Sequence, residues 1–179
     1  MTKIQLVIAL LLVVSLGSAK NKEDKQPEPN TLTAKENQQG WQLLFDGKTT
    51  HRWKGVDSNV FPAEGWKVLN GTLTSIANSA NAPVKGIDII TTDKYSAFDL
   101  QFEFNFAEGA NSGIKYFIGN GGPSIGLEYQ ILDDLRHPDA KQGVVGNRCL
   151  AALYDLIPID NQGLTVKPAG EWNSGRIVV

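Results

Sequence analysis

Between residue 40 and the C-terminus, apolar and polar residues alternate over short runs, with glycine and asparagine at the breaks. The longest run covers 98–106, where Phe98, Leu100, Phe102, Phe104 and Phe106 alternate with Asp99, Gln101, Glu103 and Asn105. A period of two puts one set on each face of a strand, one face aromatic and the other polar. The same pattern recurs at 127–132, with Leu127, Tyr129 and Ile131 on an apolar face and Glu128 and Gln130 on a polar one. Shorter β-rich runs predict strands over 41–45, 66–69, 72–75, 87–91, 114–118, 150–154 and 176–179. Asn70-Gly71 reads as a two-residue hairpin turn, since a type I′ turn needs positive φ at both central positions. Asp46-Gly47 ends the first run, and the Gly/Pro-rich loop 119–126 turns the chain into 127–132. Outside the N-terminus no helical period lasts three turns; 138–142 makes one short turn at most. Such strands and turns predict an all-β antiparallel sandwich, a jelly roll. The sequence ends inside the strand pattern RIVV. Because sandwiches avoid exposed hydrophobic edges, one or two closing strands are expected beyond it.

The N-terminus changes the picture. Lys3, the apolar run 4–16 and the small residues Gly17-Ser18-Ala19 form the pattern of a signal peptide over 1–19, cleaved after Ala19. The apolar run is shorter than the ~20 residues of a membrane span, so no stable insertion is expected after cleavage. Residues 20–39 are charged and polar, with Pro27, Pro29 and a single large aliphatic residue, Leu32. That composition predicts a disordered linker. The domain is therefore expected over 40–179, incomplete at its C-terminal end. The net charge of -2 and the lack of a basic, aromatic-interleaved patch argue against nucleic acid as a partner. Cys149 is alone and sits in an apolar run, which suits a buried small hydrophobe better than a nucleophile.

Candidate chemistry gathers around 128–139. Glu128 and Gln130 stand about 7 Å apart along one strand face. A carboxylate beside an amide suits a ligand whose hydroxyls both donate and accept, as a sugar's do. Asp133, Asp134, His137 and Asp139 follow; loop oxygens of this kind could hold a divalent cation, although the spacing matches no EF-hand or zinc motif. Aspartates equally serve as turn and capping residues. A regular strand would also turn Glu128 and Asp133 to opposite faces. Trp172 with Glu171 and Asn173 could form an aromatic platform for a sugar ring, or Trp172 could simply pack at the core rim. Lys115 and Tyr154, on neighbouring strands, are further candidates to bind the same ligand. Arg148 is expected to pair with an aspartate. No Ser-His-Asp order, phosphate loop or dinucleotide fingerprint is present.

Several blocks together carry a resemblance: LLFDGKTTHRWKG (43–55), WKVLNGTL (66–73), FDLQFEF (98–104), NSGIKYF (111–117), LEYQILDD (127–134), AALYDL (151–156) and GEWNSGRIVV (170–179). In this order over 40–179 the chain resembles the 3-keto-disaccharide hydrolase family, which is common in exported bacterial proteins. The resemblance implies a concanavalin A-like jelly roll that continues past residue 179. THRW (50–53) departs from the family's polar-Gly-Trp run. The implied activity is cleavage of glycosides whose sugar carries a ketone at C3. That carbonyl acidifies the C2 proton, so a base can remove it while the anomeric substituent leaves, and water then adds back. Carried onto this chain, Glu128 would be the general acid/base, with Asp133 or His137 as a second catalytic or metal-binding group. Gln130, Lys115 and Trp172 would hold sugar. The resemblance implies an exported protein of the bacterial periplasm or exterior, with carbohydrate as its partner. Two other readings remain: a carbohydrate-binding, lectin-like module without catalysis, since a sandwich alone does not fix function, and a structural domain of an envelope assembly.

Overall fold

The computed structural model describes residues 2–6, 28–76, 88–119, 126–160 and 165–179. They divide into two compact units, Met1–Phe102 with Val178–Val179, and Glu103–Ile177. The class is all-β, with one five-residue helix and one 3-10 turn among the described residues. Among the described residues no helix is long and apolar enough to cross a membrane.

In the first unit, β1 (Thr2–Leu6) pairs in parallel with β2 (Trp41–Leu43) on one side and β7 (Phe98–Phe104) on the other. Val179 closes on Phe98 through reciprocal backbone hydrogen bonds of 3.0 Å. The segment expected as a signal peptide thus contributes a strand at 2–6; its remainder, with 20–27 of the expected linker, lies outside the described residues. Two antiparallel pairs follow, β3 (Trp53–Gly55) with β6 (Ile89–Thr91) and β4 (Trp66–Leu69) with β5 (Thr72–Ser75). The β4–β5 hairpin turns as its sequence dictates, with Asn70 at φ 49° and Gly71 at φ 76°. Leu44, Phe45, Phe98, Leu100 and Phe102 are buried. Asp99 is buried as well, so the polar face of β7 is not solvated there.

Part of the expected linker 20–39 has regular structure. Ala34–Gln38 form a short helix, α1, with a capping box: Glu36 donates its N–H to Thr33 Oγ1, and the Thr33 N–H donates to the Glu36 carboxylate. Asn30 is buried and donates to the Gly71 carbonyl at 2.9 Å. Local hydrogen bonds at the cap supply what apolar burial cannot.

In the second unit, β8 (Asn111–Tyr116) and β9 (Leu127–Leu132) form an antiparallel ladder. The apolar face of β9 lies against aromatic residues: Tyr129 meets Phe104 edge-on at 6.4 Å, and Phe104 stacks with Phe106 at 6.3 Å. The run at 150–154, expected as a strand, is instead a turn with Ala151 at φ 64°. It still extends the ladder, because Gln130 donates to Ala152 O at 3.0 Å and Tyr154 donates to Glu128 O at 2.9 Å. The short turn near 138 is a 3-10 helix, Pro138–Lys141. β10 (Asn173–Val178) begins in this unit. Cys149 is half-buried, its Sγ 3.8 Å from the Ala140 carbonyl, and burial pushes its thiol pKa up.

Candidate functional site

Backbone pairing builds the site from three adjacent segments. The β8–β9 register sets Lys115 opposite Glu128, and the hydrogen bond from Tyr154 to the Glu128 carbonyl sets Tyr154 on its other side. Residues opposite one another in an antiparallel ladder share a face, with Cβ atoms roughly 4.5–5.5 Å apart. Lys115, Glu128 and Tyr154 therefore form one cross-strand row of cation, carboxylate and phenol, all three half-buried. Neither Lys115 nor Glu128 lacks an interaction partner.

The next row on this face is closed. Gln130 is 1% exposed and donates through Nε2 to Asn111 Oδ1 at 3.2 Å, beside buried Ala152. Of the expected acid–amide pair, Glu128 is half-buried, while Gln130 is buried with its amide bonded to Asn111. Burial deepens along β9 from half-buried at Leu127–Tyr129 to complete at Leu132.

A second network holds Tyr154. Its hydroxyl donates to Asp139 Oδ2 at 2.9 Å, and Arg148 reaches the other Asp139 oxygen at 3.0 Å. Arg148 also grips both oxygens of Asp155, at 2.8 and 3.0 Å, and its guanidinium lies 5.4 Å from the centre of the Tyr154 ring. The expected pairing of Arg148 with an aspartate is realised twice. These bonds raise the Arg148 pKa and lower that of Asp155. Burial, then the bond to Asp139, raises the Tyr154 pKa, so its phenol stays protonated at neutral pH.

The cluster at 133–139 is not assembled as a metal site. Asp133 is 3% exposed and accepts from the backbone N–H of Gly109 at 2.8 Å and of Leu135 at 3.2 Å, with Arg136 Nη1 at 3.4 Å. The Gly109 N–H, first among these, lowers its pKa. Asp134 accepts from Leu150 N–H at 2.8 Å, and His137 caps the 3-10 helix by accepting from Asp139 N–H at 3.2 Å. Among the described residues no three His, Cys, Asp or Glu side chains converge to hold a metal ion. Asp133 and His137, expected as second catalytic groups, tie turns together; by strand parity Asp133 lies on the face opposite Glu128. Beside Asp133 a cavity of about 290 Å³ is lined chiefly by apolar residues, among them Phe106, Leu132, Leu150 and Val166, and by none of the Lys115–Glu128–Tyr154 row.

Of the platform expected at 171–173, Asn173 is buried and clasps the Lys167 backbone, accepting from its N–H at 2.8 Å and donating to its carbonyl at 3.1 Å. Glu171 is exposed and Trp172 half-buried. Sequence reasoning missed Asn111 as the partner of Gln130 and Asp139 as the anchor of Tyr154.

Comparison with known proteins gives three findings. Residues 40–179 match the model of the 3-keto-alpha-glucoside-1,2-lyase-like domain. A 3-keto-disaccharide hydrolase from Bacteroides thetaiotaomicron is 33% identical over 174 residues, 89% of this chain and 59% of that protein, so the chain spans about three-fifths of that relative's length. The crystal structure of a candidate glycosyl hydrolase from Parabacteroides distasonis aligns with a TM-score of 0.67 and 28% identity, covering 83% of this chain and 68% of that one. The fold is accordingly of the antiparallel jelly-roll type, with parallel β1 as its departure.

Proposed function

The chain belongs to the 3-keto-alpha-glucoside-1,2-lyase-like domain family, and on that premise we propose that it is a hydrolase of 3-keto-disaccharides or related 3-keto-glycosides, working by elimination followed by hydration. The observation that carries this reading is the half-buried row Lys115–Glu128–Tyr154. Glu128, as carboxylate, takes the C2 proton that the C3 ketone has acidified. The electron pair flows onto the C3 oxygen, where the Lys115 cation stabilises the developing charge. The C1–O bond breaks, and the proton held by Glu128 can pass to the leaving oxygen. Water then adds at C1 and a proton returns to C2, giving net hydrolysis. Tyr154 commits its hydrogen to Asp139, so its oxygen is left to accept from a sugar hydroxyl.

Export to the bacterial periplasm or exterior, directed by residues 1–19, belongs to the same proposal, as does a sugar-stacking role for Trp172. The test is turnover of a 3-keto-glucoside and of its unoxidised parent by the full chain. The keto substrate alone should be consumed, and Glu128→Gln should slow its consumption by about a hundredfold or more. Binding of the keto-sugar without turnover would instead assign a carbohydrate-binding module.

A further inference from the structure

β8 carries one residue without a side chain, and it lies where the Glu128 side chain crosses the strand. The register puts Gly113 directly opposite Gln130 and diagonal to Glu128. A Cβ at position 113 would stand 2.7 Å from Glu128 Cγ and 2.8 Å from Cδ, with Oε1 closer still. Non-bonded carbons prefer about 3.5–4.0 Å, so no larger residue fits while Glu128 keeps this conformation. The conflict reaches Cγ, one bond from the root of the side chain. Turning the carboxylate alone cannot relieve it; the whole side chain must change rotamer.

A Cβ at 47 would meet the Asn30 side chain and one at 143 those of Asn147 and Arg148, but among these positions none other than 113 would meet Glu128. Position 119 meets nothing within 4 Å, and a Cβ at 126 would meet the Tyr116 backbone oxygen at 2.9 Å rather than any candidate catalytic group. Asn111 and Lys115 share the face of Gly113 on β8. The bare Cα at 113 is thus a slot between them, and the Glu128 carboxylate lies in it.

We propose that Gly113 is a positioning residue: its missing side chain lays Glu128 across β8 in the rotamer that reaches the C2 proton. This inference rests on the reading of Glu128 as the acid/base group, and its test is chosen to separate the two. Gly113→Ala, Glu128→Ala and the double variant are compared with the native chain in Tm and in turnover of a 3-keto-glucoside, with Gly119→Ala as control. In the native background Gly113→Ala should lower Tm by about 3 °C or more, the expected result of overpacking. It should also lower kcat by about tenfold or more at unchanged KM, because a displaced base is lost in the chemical step. With Glu128→Ala the slot is empty, and Gly113→Ala should then cost no stability and no further turnover. Gly119→Ala should leave both readouts unchanged. An equal Tm loss in both backgrounds, or native kcat in Gly113→Ala, overturns the slot while leaving an inactive Glu128→Ala to support the catalytic reading. Native turnover by Glu128→Ala overturns the catalytic reading and the positioning role together, even if the Tm coupling persists.

Discussion

β9 carries a carboxylate near its start and another just past its end, and they have opposite fates. Glu128 is half-buried in a row with a cation and a phenol, its side chain laid over a glycine. Asp133 is 3% exposed, with two backbone N–H groups and an arginine on its oxygens. One sits where the face is open; the other is consumed by the turn that leaves the strand. The difference teaches that a carboxylate's role follows from where the strand leaves it: Glu128 keeps partial exposure on a strand face, whereas Asp133 is buried in the turn. A buried acid with satisfied acceptors holds structure, because taking it away leaves donors unpaired in the interior.

The comparison can be broken most sharply at Glu128. Glu128→Gln should reduce turnover of a 3-keto-glucoside by about 10²–10⁴-fold, the range of a positioned acid or base, with Tm nearly unchanged. Asp133→Asn should do the reverse. Thermal unfolding should show a loss of several degrees, since an amide cannot accept from all three donors, while kcat per folded molecule stays within a few-fold of native. Acid unfolding sharpens the same contrast. The Asp133 pKa is lowered by folding, so its stabilisation is fully present above the ordinary carboxylate value of about 3.9 and fades as pH falls through the folded value. A stability profile from pH 6 downward should therefore be flatter in Asp133→Asn than in the native chain.

Smaller effects are expected further out. Tyr154→Phe removes one acceptor for a sugar hydroxyl and one donor to Asp139, and should raise KM by roughly tenfold with a modest change in kcat. His137→Ala removes only the acceptor that caps the 3-10 helix. It should cost no more than about 1 kcal/mol by denaturant unfolding and leave turnover intact, whereas a large loss of turnover would return His137 to the chemistry.

Much of this molecule was legible because its signals are local. Asn70-Gly71 dictates its turn, and alternation marks both β7 and β9. The order of motifs over 40–179 pointed to the family. Contacts made across long sequence separations were not legible. Gln130 reads as the twin of Glu128 along the strand, but it is buried and bonded to Asn111 and to the turn at 151–152, both far from it in sequence. Nothing near Tyr154 in sequence announces Asp139 as its anchor. The capping box Thr33–Glu36 has the Thr-x-x-Glu spacing of a helix start, a signal that a reading of 20–39 by composition alone does not use. The three residues of β3 are too few for a period to show.

The most direct measurement sets Glu128→Gln beside Asp133→Asn, both as full chains, on the same 3-keto-glucoside at a temperature where each is folded. The expected result is a rate at least a hundredfold lower for Glu128→Gln than for Asp133→Asn. Equal rates, or a slower Asp133→Asn, would contradict the assignment of the chemistry to the open end of β9.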